Sequence, residues 1–247
     1  MPVVACTLGG AAVYFKKRSM PMNLTYFGHS CFSVQVGGQT LLFDPFITPN
    51  ELAAAIRLEE IAADVILVSH VHFDHIADAA AIANRTGALV ISNYEIYEWL
   101  GKQGLTNLHP MNLGGAFEFP FGRVKLTPAV HSSVLPDGTY GGNPGGFVVS
   151  AGEGDFYYAG DTALTLDMKL IADEFAPRFA VLPIGDNFTM GAADAARAAQ
   201  FVGTKKAFGV HYDTFPPIRI DKAAARAAFN DAGIELLLPA IGASVEV

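Results

Sequence analysis

Cysteine is scarce: Cys6 and Cys31 are the two in 247 residues. They form neither a disulfide framework nor a C-x-x-C metal knuckle. Both are expected as reduced, partly buried thiols, and a cytoplasmic location follows. Sulfur-rich structural zinc sites are excluded on the same ground. Positive charge is also sparse, with 16 Lys and Arg against 24 Asp and Glu and a net charge of −8. That composition lacks the basic footprint of a nucleic-acid-binding protein. The apolar stretch Val3–Phe15 falls short of the ~20 residues that span a bilayer, and no basic region precedes it. Membrane attachment is therefore not expected. With 51% hydrophobic and 16% charged residues, the chain has enough apolar material for a folded core.

Residues 1–21 read as a lead segment and 22–247 as a single domain. Leu24–Phe27, Cys31–Val36 and Thr40–Phe43 are predicted as strands, with Gly37-Gly38 turning between the last two. Pro49–Leu58 reads as a short helix, Val65–Ser69 as a buried strand and Ile76–Arg85 as an alanine-rich helix. Leu89–Ser92 (strand) and Tyr94–Lys102 (helix) follow. Ala116–Phe119, Val124–Ala129, Gly146–Ser150 and Phe156–Ala159 are further strands, and the loop 132–145 is long and rich in Gly and Pro. Toward the end, Leu166–Phe175, Ala192–Phe201 and Lys222–Ala232 are helical, while Ala180–Leu182, Ala207–Val210 and Glu235–Leu238 are strands. Interleaving without a linker predicts one α/β domain, helices outside and sheets inside.

What the chain does have is a concentration of metal-competent side chains. Residues 70–75 read His-Val-His-Phe-Asp-His directly after an apolar strand. His131, Asp161 and His211 also stand at or just past the carboxyl ends of predicted strands, the edge where α/β sheets gather their sites. Nitrogen and carboxylate donors suit zinc, manganese or iron.

On these residues the chain resembles the metallo-β-lactamase superfamily of dinuclear metallohydrolases. The H-x-H-x-D-H loop, the later strand-end histidine, Gly160-Asp161-Thr162 and the final histidine occur in the same order, and the match spans about residues 22–247. The resemblance implies a four-layer αββα sandwich with the site at one edge of the two sheets. It implies that His70, His72 and His131 hold one ion, that Asp74, His75 and His211 hold a second, and that Asp161 bridges them. Two divalent ions are implied, zinc first, with Mn2+, Fe2+ or Ni2+ as alternatives. A narrower likeness rests on residues 26–32, 182–191 and 211–217. These are similar to a bacterial branch near the ascorbate-6-phosphate lactonases.

Two ions about 3.5–4 Å apart can share a hydroxide at neutral pH and polarise a carbonyl or phosphoryl oxygen. The expected function is hydrolysis of a small lactone, ester or phosphoester. Asp161 sets the metal separation, Asp74 also handles a proton, and His29 serves as substrate contact or proton donor. The alternatives are a nuclease of the same fold and a non-hydrolytic diiron redox protein. The latter usually carries H-x-E-x-D where this chain has His72. Asp44 resembles the family position that supports metal ligands, with a plain Asp-Pro turn as the alternative, and His109 reads as structural. Residues 186–190 either face substrate or form a helix-start turn. Tyr212 either steadies an oxyanion or packs. Gly141-Gly142 and Gly145-Gly146 read as hinges or turns rather than a phosphate cradle, since no phosphate-loop pattern is present. The expected partner is a small-molecule substrate, with self-association into a homo-oligomer allowed.

Overall fold

Leu41, Phe43, Val65 and Leu67 pack into one core, while the intervening Leu42 and Ile66 pack into another. Period-two alternation of apolar residues on both faces defines a sheet covered on both sides. The computed structural model describes residues 21–135 and 137–247, and the backbone pairing of β1 (Thr7–Leu8) with β2 (Ala11–Ala12). The expected lead segment 1–21, with Cys6, lies almost wholly outside the described residues.

The first sheet contains β3 (Asn23–Gly28), β4 (Cys31–Val36), β5 (Gln39–Phe43), β6 (Val65–Leu67), β7 (Leu89–Asn93), β8 (Leu108–Met111) and β16 (Ser244–Glu246). Its order is β16-β3-β4-β5-β6-β7-β8. The second sheet contains β9 (Ala116–Phe119), β10 (Gly122–Pro128), β11 (Gly145–Ala151), β12 (Gly154–Tyr158), β13 (Pro177–Pro183), β14 (Lys206–Val210) and β15 (Glu235–Leu237). It runs β15-β14-β13-β12-β11-β10-β9. Each sheet starts as an antiparallel meander and turns parallel midway, at β5–β6 in one and β12–β13 in the other. Phe32, Phe43, Phe147, Phe156 and Tyr158 interdigitate between the sheets.

Helices cover the outer faces. The helices α1 (Phe73–Ile76), α2 (Ala79–Thr86) and α3 (Tyr94–Lys102) belong to the first half, and Ile76, Ala79, Ile82, Ala83, Ile96 and Leu100 pack on Leu42, Ile66 and Val90. The helices α4 (Lys169–Glu174), α5 (Ala192–Phe201) and α6 (Lys222–Asp231) belong to the second. The alanines of α5 let it lie close to β13 and β14. The result is the expected α/β sandwich. No helix among the described residues is long and apolar enough to cross a membrane.

Local departures from the sequence reading have visible causes. Asp78 divides the expected helix over 76–85: its carboxylate is turned away to accept the backbone N–H groups of Ile47 (2.6 Å) and Thr48 (2.9 Å), and a separate helix starts at Ala79. Residues 49–58 make a single 3-10 turn at Glu51–Ala53, capped by Asn50, with another at Leu58–Glu60. The long loop 132–145 is tied down by Asn93, whose amide donates to the carbonyls of Gly141 and Asn143 at 2.9 and 3.1 Å.

Candidate metal centre

The carboxyl ends of β5, β6, β10, β12 and β14 meet at one edge of the sandwich. Asp44 follows β5, and His70 follows β6 with Val68 and Ser69 between. His131 lies just past β10, Asp161 past β12, and His211 directly after β14. The ends are crowded together. A Cβ on Gly160 would drive into the carbonyl oxygen of Gly145, and one on Gly185 into that of His211. Backbone bonds weld the edge: His211 N–H donates to His29 O (2.9 Å) and Gly145 N–H to Ser69 O (3.1 Å).

Among the described residues, six non-glycines have left-handed backbones: His29, Asp44, Asp186, Asn187, His211 and Asp213. All belong to the loops at this edge. Such φ values are disfavoured for residues with a Cβ and gather where a fixed geometry is worth its strain.

The predicted donors fall into two groups. The ring nitrogens of His70, His72 and His131 lie within 4.8 Å of one another. The Nε2 atoms of His70 and His131 stand 3.0 and 3.3 Å from Nδ1 of His72. His29, Asp74, His75 and His211 form a second group under the same limit. Asp161 stands between them. Its Oδ2 is 4.0 Å from His70 Nε2 and 3.7 Å from His131 Nε2, and 3.2 and 2.9 Å from Nε2 of His75 and His211. All seven residues expected as ligands converge on one place.

Hydrogen-bond logic assigns two tautomers. The Ser69 hydroxyl donates to Asp44 Oδ2 at 2.5 Å, so His70 Nδ1, 2.9 Å from that hydroxyl, must be the donor there. His75 Nδ1 likewise donates to Asp44 Oδ2 at 2.8 Å. In both rings Nε2 is turned toward Asp161, in His70 as a free lone pair. Asp44 accepts two further bonds, from Ser69 N–H (2.7 Å) and the Tyr158 hydroxyl (2.5 Å). It thus holds His75 directly and His70 through Ser69.

The electrostatics differ across the site. Burial, reinforced by the neighbouring rings, holds His70 well below the usual histidine range and lowers His72 and His131. His75 goes the other way. Burial opposes its charge, but the carboxylates of Asp161, Asp44 and Asp74 outweigh burial and hold it well above the usual range. Asp161 is held well below the carboxylate range, with burial outweighed by His211 and His75.

The donors fit a bound cation. His75 Nε2 and Asp161 Oδ1 are buried without hydrogen-bond partners, an expensive state unless an ion completes the site. A cavity of about 310 Å³ opens above them, lined by His72, Asp74, His131, Ser132, Asp161, Phe188, His211 and Phe215.

Some expectations need correction. His29 is 1% exposed and does not line the cavity. Its Nε2 lies 3.0 Å from Asp74 Oδ2 and its Nδ1 2.9 Å from Thr214 Oγ1, with Phe46 and Phe215 against its ring. It braces Asp74 by that contact, and burial and His211 push its pKa down to about 4. Tyr212 stacks on Tyr26 away from the cavity, which is the packing alternative. His109 is structural, on β8 against Phe117 and Phe119. Asp186 and Asn187 are exposed and do not face the donors. Sequence reasoning gives no site role to Ser69, Ser132 and Tyr158, and holds Phe188 and Phe215 only as members of longer stretches. The only signal was adjacency, Ser69 to His70 and Ser132 to His131.

The fold and donor set define a class. The beta-lactamase superfamily domain matches residues 23–211. A metal-dependent hydrolase of Methylacidiphilum infernorum is 52% identical over 217 residues, 88% of this chain and 96% of its own. Another, from Flavobacterium johnsoniae, is 48% identical over 226 residues, 92% and 100% of the two chains. Igni18, a metallo hydrolase from the archaeon Ignicoccus hospitalis, superposes with a TM-score of 0.84 at 35% identity, covering 92% of this chain and 99% of that one. The chain therefore belongs to the beta-lactamase superfamily. Within it, the chain belongs with the relatives named UPF0173 metal-dependent hydrolases, and it is a metal-dependent hydrolase.

Proposed function

We propose that the protein is a dinuclear hydrolase of small lactones, esters or phosphoesters. His70, His72 and His131 would hold one ion and Asp74, His75 and His211 the other, with Asp161 shared. The observation that carries this reading is the position of Asp161: one oxygen lies within 4.0 Å of nitrogens from both groups. Bound divalent ions supply water activation near neutral pH and polarise the oxygen of the scissile group. Zinc suits this nitrogen-rich set, with manganese, iron and nickel as alternatives.

The chain's own residues do the rest. Ser69 and Asp44 hold His70 and His75 with Nε2 presented to the centre. His29 and Thr214 fix Asp74, whose carboxylate borders the cavity and can take or return a proton there. Phe188 and Phe215 keep water from part of the cavity wall. No Lys or Arg is among the lining residues, which supports a small-molecule substrate over nucleic acid. The buried, unpaired Cys31 supports a reducing cytoplasmic setting.

The test is elemental analysis of the purified chain, followed by hydrolysis assays on lactones, phosphodiesters and thioesters after zinc or manganese loading. His72→Ala and Asp161→Ala should each lose metal and hydrolysis. Full activity in either variant would sink the assignment.

A further inference from the structure

The segment Gly185–Gly191 closes on itself beside the metal centre. Gly185 and Gly191 pair as an antiparallel bridge, and Asp186 N–H donates to Met190 O at 3.1 Å. Met190 N–H donates to Thr162 O, also at 3.1 Å, one residue past Asp161. Asp186 and Asn187 take φ of 62° and 55° in succession. Consecutive left-handed residues with Cβ atoms are costly, and neither of these side chains faces the donors. What the loop delivers is its next residue, Phe188. That ring is 52% exposed and forms part of the cavity wall. The second aromatic in the wall, Phe215, is seated against Phe46 and His29 at centroid distances of 6.4 and 5.5 Å. The charged side chains in the wall are carboxylates, Asp74 and Asp161, and no Lys or Arg joins them.

A half-exposed phenylalanine held in place by strained backbone is an apolar contact awaiting a ligand. Beyond the ions themselves, a wall without a basic side chain gives the further negative charge of a phosphoester no partner. The geometry points to uncharged carboxylic esters and lactones bearing an apolar, ring-sized substituent as the substrates, with Phe188 the residue that selects them. This inference rests on the metal-hydrolase reading above. In each turnover the oxygen of water bonds to the acyl carbon and the acyl carbon–alkoxy oxygen bond breaks. The alkoxy oxygen takes one proton, and the other is released as the acyl group leaves as carboxylate.

The experiment uses the full chain loaded with zinc or manganese, its metal content measured on the same sample. Three probes are compared: p-nitrophenyl phenylacetate, p-nitrophenyl acetate and bis(p-nitrophenyl) phosphate. The phenylacetate should exceed the acetate in kcat/KM by about tenfold, the scale of an added apolar contact. Phe188→Ala should bring that ratio down toward one through KM, and Phe188→Leu should restore part of it. Asn187→Val, which strains the loop without touching the cavity, should lower the ratio in the same way. A wild-type ratio near one, a ratio unmoved by Phe188→Ala or Asn187→Val, or faster turnover of the phosphodiester would overturn the inference. A loaded chain that prefers the phosphodiester leaves the metal-hydrolase reading standing. A chain that takes up no metal, or hydrolyses none of the probes when loaded, removes both.

Discussion

The two sheets repeat one plan and use it differently. In each, a meander turns parallel, and a carboxylate follows the strand at the turning point: Asp44 after β5, Asp161 after β12. Both are buried, and His75 lies between them, its Nδ1 2.8 Å from Asp44 and its Nε2 3.2 Å from Asp161. Asp44 accepts hydrogen bonds from Ser69, His75 and Tyr158, whereas Asp161 retains an unpartnered oxygen. One position is saturated by the protein. Its counterpart is left short of donors, and that shortfall is the room for an ion. The same strand-end carboxylate becomes structural or functional according to how many protein donors reach it.

The largest expected effect separates these two carboxylates. Asp44→Ala strands several buried donors and should lower the unfolding free energy of the metal-free chain by about 3–5 kcal/mol in urea melts. Asp161→Ala should lose less in that assay and should abolish the stabilisation that added zinc gives the wild type. Equal losses in the metal-free chain would break the comparison.

A smaller effect tests the histidine between them. His70, His72 and His131 are lowered and already neutral at pH 7, whereas His75 keeps its proton above the usual range. Metal uptake at pH 7 should therefore release a proton from His75. As pH falls, the group containing His75 should empty first. Calorimetric titration in buffers of different ionisation enthalpy measures the protons released, and a value of zero would contradict the assignment. The smallest effect lies far from both carboxylates. His109→Ala removes a ring packed on Phe117 and Phe119 and should cost about 1 kcal/mol with metal content unchanged.

The donors were readable because each follows an apolar strand, and strands announce themselves by hydrophobicity. The order of His70, His72, Asp74 and His75 needed no structure. β8 was not readable: Pro110 argues against a strand, and the sheet tolerates it because β8 is an edge. β16 is three residues long and half exposed, too short to show a period. His29 follows a short strand and a glycine, a context that says nothing of what surrounds its ring. Only the packed sheets reveal that Phe46 and Phe215 close over it. Phe188 and Phe215 were visible as aromatics, but loop residues carry no periodicity that says which way they face.

The left-handed residues carry a consequence for sequence change. At His29, Asp44, Asp186, Asn187, His211 and Asp213 the backbone itself restricts what can follow. Four of the six are Asp or Asn, types that tolerate this conformation, and glycine would also fit. A saturation scan should therefore trace a ring of intolerance around the site that follows dihedral angle as well as chemistry. β-Branched residues should be rejected even at Asn187, an exposed position outside the donor set. Improving the catalyst by random substitution would have to work around that ring, through the cavity wall rather than the loops that hold it.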